Sequence, residues 1–154
     1  DNFESVNAGE YFRELADAVA HAGSTAECGT DVRLNVDEIE LPSRMMTTIG
    51  LISVELCNNT QKHGGIASAS AEGNAAGTAE VSLLRTGDGR LRYDYRDYGV
   101  GFPPGTSTFD EVAVGPGMIL VRELADELCG VIELVDEERG VHIRITMPEP
   151  ATAS

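Results

Sequence analysis

Two alternating strands joined by a glycine turn constrain the fold of this chain more than any other segment. Residues 79–86 and 90–97 alternate apolar and polar side chains, and Gly87-Asp88-Gly89 between them is a tight-turn sequence. We therefore expect an antiparallel hairpin in the middle of the chain. A second pair of strands follows near the end, at 131–136 and 141–147.

Apolar residues at helical spacing predict three helices, at 8–22, 43–63 and 116–129. A short strand is predicted at 31–36, and glycine-rich loops at 64–77 and 98–115. This order of elements predicts an α+β fold, a two-layer sandwich with helices on one face of a mixed, mainly antiparallel sheet. We expect one domain over 1–148 and a disordered tail at 149–154.

The charge of the chain narrows its partners. With 26 acidic and 11 basic residues among 154, the formal charge is −15, which repels nucleic acid and anionic membrane surfaces. No stretch approaches the ~18 apolar residues that span a bilayer. Three scattered cysteines, Cys28, Cys57 and Cys129, predict reduced thiols and a cytoplasmic protein. Because the chain begins with Asp1 rather than Met, we expect it to be a piece of a longer protein.

The second helix carries a polar row beside an apolar stripe. Glu55, Asn59 and His63 are spaced four apart and share one face. The row borders a stripe that we expect to pack on the sheet, formed by Met45, Ile49, Ile52 and Leu56.

This polar row has the chemistry of a phosphate site. The amide oxygen of Asn59 suits Mg²⁺. Glu55, one turn earlier, is placed to orient a water or accept a proton, and Lys62 to set a positive charge near phosphates. On an isolated helix such residues are more often merely solvated, and the glycine loops downstream favour the functional interpretation.

Two glycine loops follow. Asp97 ends a strand, and Gly99 and Gly101 after it permit positive φ and a close approach of the backbone to a planar ligand. A carboxylate there can accept a hydrogen bond from the exocyclic amine of adenine. Gly115-Pro116-Gly117 precedes a helix, whose first N–H groups suit phosphate. No P-loop signature is present.

In this order, the segments resemble the ATP-binding catalytic (HATPase, Bergerat-fold) domain of sensor histidine kinases, and most of all the HWE-like group. The resemblance covers nearly the whole chain. The matching segments are Leu41-Pro42, Gly50-Leu-Ile-Ser-Val-Glu55-Leu-Cys-Asn-Asn59-Thr-Gln-Lys62-His63, Asp97-x-Gly99-x-Gly101-Phe-Pro103, Gly115-x-Gly117-Met118 and Met147-Pro148.

The resemblance implies roles for these residues. Asn59 would bind Mg²⁺, Asp97 would read the adenine amine, and residues 102–114 would form the ATP lid. The catalytic set is expected to be Glu55, Lys62 and His63. The cofactor-binding set is expected to be Asn59, Asp97, Tyr98, Gly99, Gly101, Gly115 and Gly117.

The chain also departs from the family. Tyr98 stands where the family usually has Asn, which would place a ring beside the pocket. Pro116 removes an N–H donor, and Val141 replaces a Thr that relatives often carry. The phosphoacceptor helix pair is missing, and His21, His63 and His142 lack the sequence context of an acceptor.

The resemblance therefore predicts a kinase domain that binds Mg·ATP and transfers the γ-phosphate to a histidine on a dimerisation domain supplied elsewhere. A response regulator would be an indirect partner. Two alternatives stay open. One is a serine kinase similar to anti-sigma factors, and the other is a degenerate, non-catalytic docking domain as in some histidine phosphotransferases.

Overall fold

The computed structural model describes residues 4–22, 31–62 and 78–151. Its elements, in chain order, are β1 (Ser5–Asn7), α1 (Ala8–Ala22), β2 (Asp31–Val36), β3 (Glu40–Pro42), α2 (Ser43–Lys62), β4 (Thr78–Arg85), β5 (Arg90–Asp97), a 3-10 turn (Phe109–Glu111), α3 (Pro116–Glu127), β6 (Val131–Leu134) and β7 (His142–Pro148).

The main sheet has five strands in the order β2-β4-β5-β7-β6. β2 pairs with β4 in parallel, and the other three pairs are antiparallel. β1 and β3 form a separate two-stranded antiparallel sheet. The predicted α+β sandwich, with helices packed on a mixed and mainly antiparallel sheet, is confirmed.

One face of the sheet holds the core. Along β5, side chains alternate so that Leu91, Tyr93 and Tyr95 are each at most 1% exposed. The apolar stripe of α2 packs into the same core, with Ile49, Ile52 and Leu56 buried and Met45 partly buried. Burial of this stripe therefore sets the rotation of α2 and the direction in which its polar row points.

The opposite face of the sheet is charged. Asp94 on β5 is only 8% exposed, because Arg92, Arg144 and His142 surround its carboxylate. The Glu137 carboxylate forms an ion pair with the Arg96 guanidinium at 3.0 Å, and its Oε2 atom lies 2.7 Å from Nδ1 of His142. These charges form one connected network on the face of β5 and β7 that is opposite the core.

The predicted elements agree with the structure except at their ends. The prediction missed β1, β3 and the 3-10 turn, because three-residue elements are too short to show a period. The predicted loop at 64–77 lies outside the described residues. Among the helices that are described, none has the length and apolar character needed to cross a membrane.

Glu149, the first residue of the tail predicted to be disordered, contacts the β4–β5 hairpin. The N–H of Glu149 donates to the Gly89 carbonyl at 3.0 Å, and its carboxylate receives the Arg85 guanidinium at 3.0–3.1 Å. These contacts extend the edge of the β4–β5 hairpin. Residues 152–154 lie outside the described part of the chain.

Candidate functional site

A cavity of about 890 Å³ opens between α2, the end of β5, the start of β7 and the loop leading into α3. This volume suits a nucleotide-sized ligand. It brings together predicted site residues from three separate segments, namely Glu55, Asn59, Asp97, Gly99, Gly101, Gly115 and Gly117.

Two predicted residues cannot be placed in the same way. Lys62 is the last residue of α2, and the position of its side chain is not described. His63 lies outside the described residues. Their catalytic roles stay predictions.

A row of hydroxyl contacts fixes α2 against β5. Ser53 Oγ lies 2.7 Å from the Tyr93 hydroxyl, and Thr60 Oγ1 lies 2.6 Å from the Tyr95 hydroxyl. Ser53 and Thr60 are seven residues apart, about two helical turns, so both hydroxyls lie on the same face of α2, the one that packs against β5. The register of this row brings the last turn of α2 to the end of β5.

Asp97 lines the cavity and is only 5% exposed. Its Oδ1 accepts the N–H groups of Gly99 at 3.1 Å and Val141 at 3.0 Å, and its Oδ2 accepts the Thr60 hydroxyl at 2.7 Å. A carboxylate has about four acceptor positions. The described residues fill three, and the remaining one suits a single donor on a ligand.

The backbone beside Asp97 depends on glycine at 140. Gly140 has φ +80°, and a Cβ there would lie 2.1 Å from the carbonyl oxygen of Asp97. Gly101, at φ +85°, would in turn place a Cβ 2.9 Å from the Gly140 carbonyl oxygen. The predicted positive φ of the first glycine loop is therefore found at Gly101, where it serves a close contact between two loops.

Glu55 lies against the start of α3. A Cβ on Gly117 would be 2.6 Å from the Glu55 Oε1 atom, so a glycine is needed for the carboxylate to occupy this place. Gly115 is the N-cap in an extended conformation, and Pro116 occupies the first turn. The N–H groups of Gly117 and Met118 have no acceptor within their own helix, since the first helical bond runs from Ile119 to Gly115.

The predicted lid is anchored at its middle. Phe109 is 2% exposed, and the Arg122 guanidinium of α3 lies 5.5 Å from its ring centroid. Glu111 Oε1 accepts the N–H groups of Ser107 at 2.7 Å and Thr108 at 3.0 Å, and these bonds hold the pKa of Glu111 below its usual value. The segment is thus a structured wall of the cavity.

Tyr98 faces away from the cavity, contrary to expectation. Its hydroxyl donates to Glu80 Oε1 at 2.9 Å, and the Arg96 guanidinium lies 4.5 Å from the centre of its ring. Both partners project from the charged face of the sheet, because they alternate with the buried residues of β4 and β5. This placement does not support a cofactor-binding role for Tyr98.

The other two departures do line the cavity. Pro116 contributes no N–H at the start of α3. Val141 contributes its backbone N–H to Asp97 and an apolar side chain to the wall.

The sequence analysis missed Thr60 and Tyr95, which both line the cavity. The sequence did contain a signal. Ser53, Cys57 and Thr60 recur on the buried side of α2, where they face the tyrosine hydroxyl groups of β5. Burial raises the pKa of the Cys57 thiol to about 11. Burial likewise raises the pKa of Tyr95 well above its usual value, so both groups are neutral near pH 7.

The cavity has the oxygen donors for Mg²⁺ but not an all-protein metal cage. Across the described residues, no group of three His, Cys, Asp or Glu side chains could hold a metal. Asn59 and Glu55 supply oxygen atoms on one wall of the cavity. This fits an ion that binds few protein oxygens and shares the rest with phosphate and water.

Solved structures of histidine kinases have the same fold. The blue-light activated histidine kinase EL346 of Erythrobacter litoralis matches with a TM-score of 0.73 and 21% identity, over 94% of this chain and 42% of that one. The ATP-binding domain of PrrB from Mycobacterium tuberculosis matches with a TM-score of 0.68 and 21% identity, over 98% of this chain and 100% of that one. Full-length ShkA in complex with AMPPNP matches with a TM-score of 0.69 and 16% identity, over 98% of this chain and 32% of that one.

At these identities the likeness shows the fold. The resemblance to the ATP-binding catalytic domain of histidine kinases, predicted from the motifs, is confirmed at this level. The chain spans less than half the length of EL346. No protein-family model and no curated protein matches it.

Proposed function

We propose that this chain is the ATP-binding catalytic domain of a histidine kinase, which transfers the γ-phosphate of ATP to a histidine on another domain. One observation carries the proposal. Asp97, buried and held by three donors, keeps one acceptor position in a cavity whose other walls hold Asn59, Glu55 and the start of α3.

The nucleotide has one natural orientation in this cavity. Adenine belongs at Asp97, where its exocyclic amine donates to the carboxylate, beside the apolar side chains of Val141 and Ile143 that line the cavity. The phosphates then extend toward the N–H groups at the start of α3, where the helix dipole favours negative charge. Lys62, at the end of α2, would add positive charge to the same region.

The catalytic work is placement and charge neutralisation, as in phosphoryl transfer generally. Asn59 would hold Mg²⁺, which neutralises charge on the phosphate oxygens when bound. Glu55 would accept the proton of the attacking imidazole, since its carboxylate stands at the start of α3. The acceptor histidine comes from a dimerisation domain, and the response regulator follows as an indirect partner. We place the reaction in the cytoplasm, where free cysteines such as Cys57 stay reduced.

A calorimetric titration of ATP with and without Mg²⁺ tests the nucleotide site. We expect binding that depends on Mg²⁺ and is weakened at least about tenfold by Asn59→Ala. Asn35→Ala, on the charged face of β2, is the matched control. If the affinity for ATP depends neither on Mg²⁺ nor on Asn59, the assignment of Asn59 as a Mg²⁺ ligand is wrong.

A transfer assay tests the reaction itself. A separately added helical hairpin bearing a histidine should gain an acid-labile phosphoryl group from ATP. An acid-stable product would instead identify the serine kinase.

The docking domain is the second candidate, and Pro116 favours it, since this residue removes one phosphate-facing N–H from the cavity wall. A folded chain that is silent in the ATP titration would establish it.

A further inference from the structure

We infer that Thr60 is a positioning residue that sets the nucleobase specificity of the cavity, by occupying one acceptor position of Asp97 so that a ligand can donate only once. The inference rests on the proposed function, because it concerns the base of the bound nucleotide. It assigns a role to a side chain that the polar row of α2 does not include.

The direction of each hydrogen bond around Thr60 is fixed. The Asp97 carboxylate has only acceptors, so the Thr60 hydroxyl must donate to Oδ2 across 2.7 Å. A hydroxyl has one proton, and therefore the contact of 2.6 Å between Thr60 and Tyr95 must use the tyrosine proton. The order is Tyr95 to Thr60 to Asp97.

This chain of donors is a stable part of the structure. Thr60 is 5% exposed and Tyr95 is 1% exposed, so water does not compete for either hydroxyl. Burial also keeps Tyr95 protonated. The carboxylate is held at both oxygens, by two backbone N–H groups at Oδ1 and by Thr60 at Oδ2.

The consequence is a selection between purines. Adenine offers one exocyclic amine, and guanine offers an amine and a ring N–H side by side. A carboxylate with one open position can satisfy the first base but leaves one guanine donor without an acceptor, because the neighbouring lining residues Val141 and Ile143 offer only apolar side chains. Unpaired buried donors are the strongest source of discrimination between similar ligands.

The substitution Thr60→Val tests this, because it removes the hydroxyl and keeps the shape. Affinities for Mg·ATP and Mg·GTP are measured by calorimetry on the 154-residue chain. We expect ATP affinity to fall about tenfold and the preference for ATP over GTP to fall at least about fivefold, since a second acceptor position opens. Thr60→Ser, which restores the hydroxyl, should recover the preference.

Ser53→Ala is the matched control. It removes a buried hydroxyl that also contacts a tyrosine of β5, at 2.7 Å, but Ser53 lies outside the residues lining the cavity. Both variants should lose comparable thermal stability, and only Thr60→Val should change the ratio of the two affinities.

The outcomes separate the inference from the proposed function. If Thr60→Val weakens ATP and GTP by the same factor, Thr60 has only a structural role and the inference is wrong, while the nucleotide site stands. If the wild-type chain is folded but binds neither nucleotide, the proposed function fails and the inference fails with it.

Discussion

Asp97 and Val141 hold each other through two hydrogen bonds. The Asp97 N–H donates to the Val141 carbonyl at 2.8 Å, and the Val141 N–H donates to Asp97 Oδ1 at 3.0 Å. The pair joins the end of β5 to the residue before β7, so the Asp97 carboxylate is fixed at the end of the central strand of the sheet. Gly140 and His142 flank Val141 and therefore affect the position of this pair, although neither residue lines the cavity.

Gly140→Ala should be strongly destabilising. Its Cβ would meet the Asp97 backbone at 2.1 Å in addition to adopting a positive φ, and backbone atoms cannot move aside cheaply. We expect a loss of about 3 kcal/mol or more in the free energy of unfolding. Gly89→Ala is the control, because Gly89 has φ +85° but open space around it. It should lose only about 1–2 kcal/mol in urea unfolding. If both variants lose the same free energy of unfolding, the close contact with Asp97 does not contribute to the destabilisation.

Gly117→Ala should impair transfer more than stability. The added methyl group displaces the Glu55 carboxylate, which is the mobile end of a flexible side chain, so the fold can adjust. We expect the rate of phosphoryl transfer to fall about tenfold or more, in line with the contribution of a general base. In a Glu55→Gln background, the same substitution should have little further effect, because the two act through one group. Additive effects of the two substitutions would contradict this account.

His142 should make stability depend on pH. The hydrogen bond to Asp94 raises the pKa of His142 above its usual 6.5, burial opposes this, and Glu137 adds to it. Such a group stabilises the fold below pH 6.5, and the contribution is lost as the pH rises through the raised value. Arg144, Arg92 and Arg96 also contact the two carboxylates.

The carboxylates of Asp94 and Glu137 determine the pH below which this network stops stabilising the fold. The hydrogen bond from His142 lowers the pKa of Glu137 below its usual 4.5. Despite opposing burial, His142 and Arg144 lower that of Asp94 below 3.8. Their contribution is lost as the pH falls through these lowered values. Urea unfolding at several pH values should show a decline above pH 6.5 that His142→Gln flattens. An unchanged slope in the variant would assign the decline to other groups.

Tyr98→Phe should leave the affinity for ATP unchanged within about twofold, because the hydroxyl contacts Glu80 on the charged face of the sheet. The loss of one hydrogen bond should cost about 1 kcal/mol of stability at most. A loss of affinity as large as that expected for Asn59→Ala would restore Tyr98 to the site.

Much of the site could be predicted because its residues lie in short local patterns. The spacing of Glu55 and Asn59 places both on one helix face, and both line the cavity. Tyr98 shows the limit of this reasoning. Its neighbour Asp97 faces the core, and the alternation of the strand sends the next side chain to the other face, where Arg96 and Glu80 receive it.

The sequence by itself determined the three helices, the two hairpins and the polar row of α2, because a period of 3.6 or 2 residues is written in neighbouring positions. The tertiary structure alone decided which partners hold the Asp97 carboxylate. Thr60 lies 37 residues before it and Val141 lies 44 residues after it. Such contacts arise only when burial of the apolar stripe of α2 and the pairing of β5 with β7 bring distant segments together, and no local pattern encodes that distance.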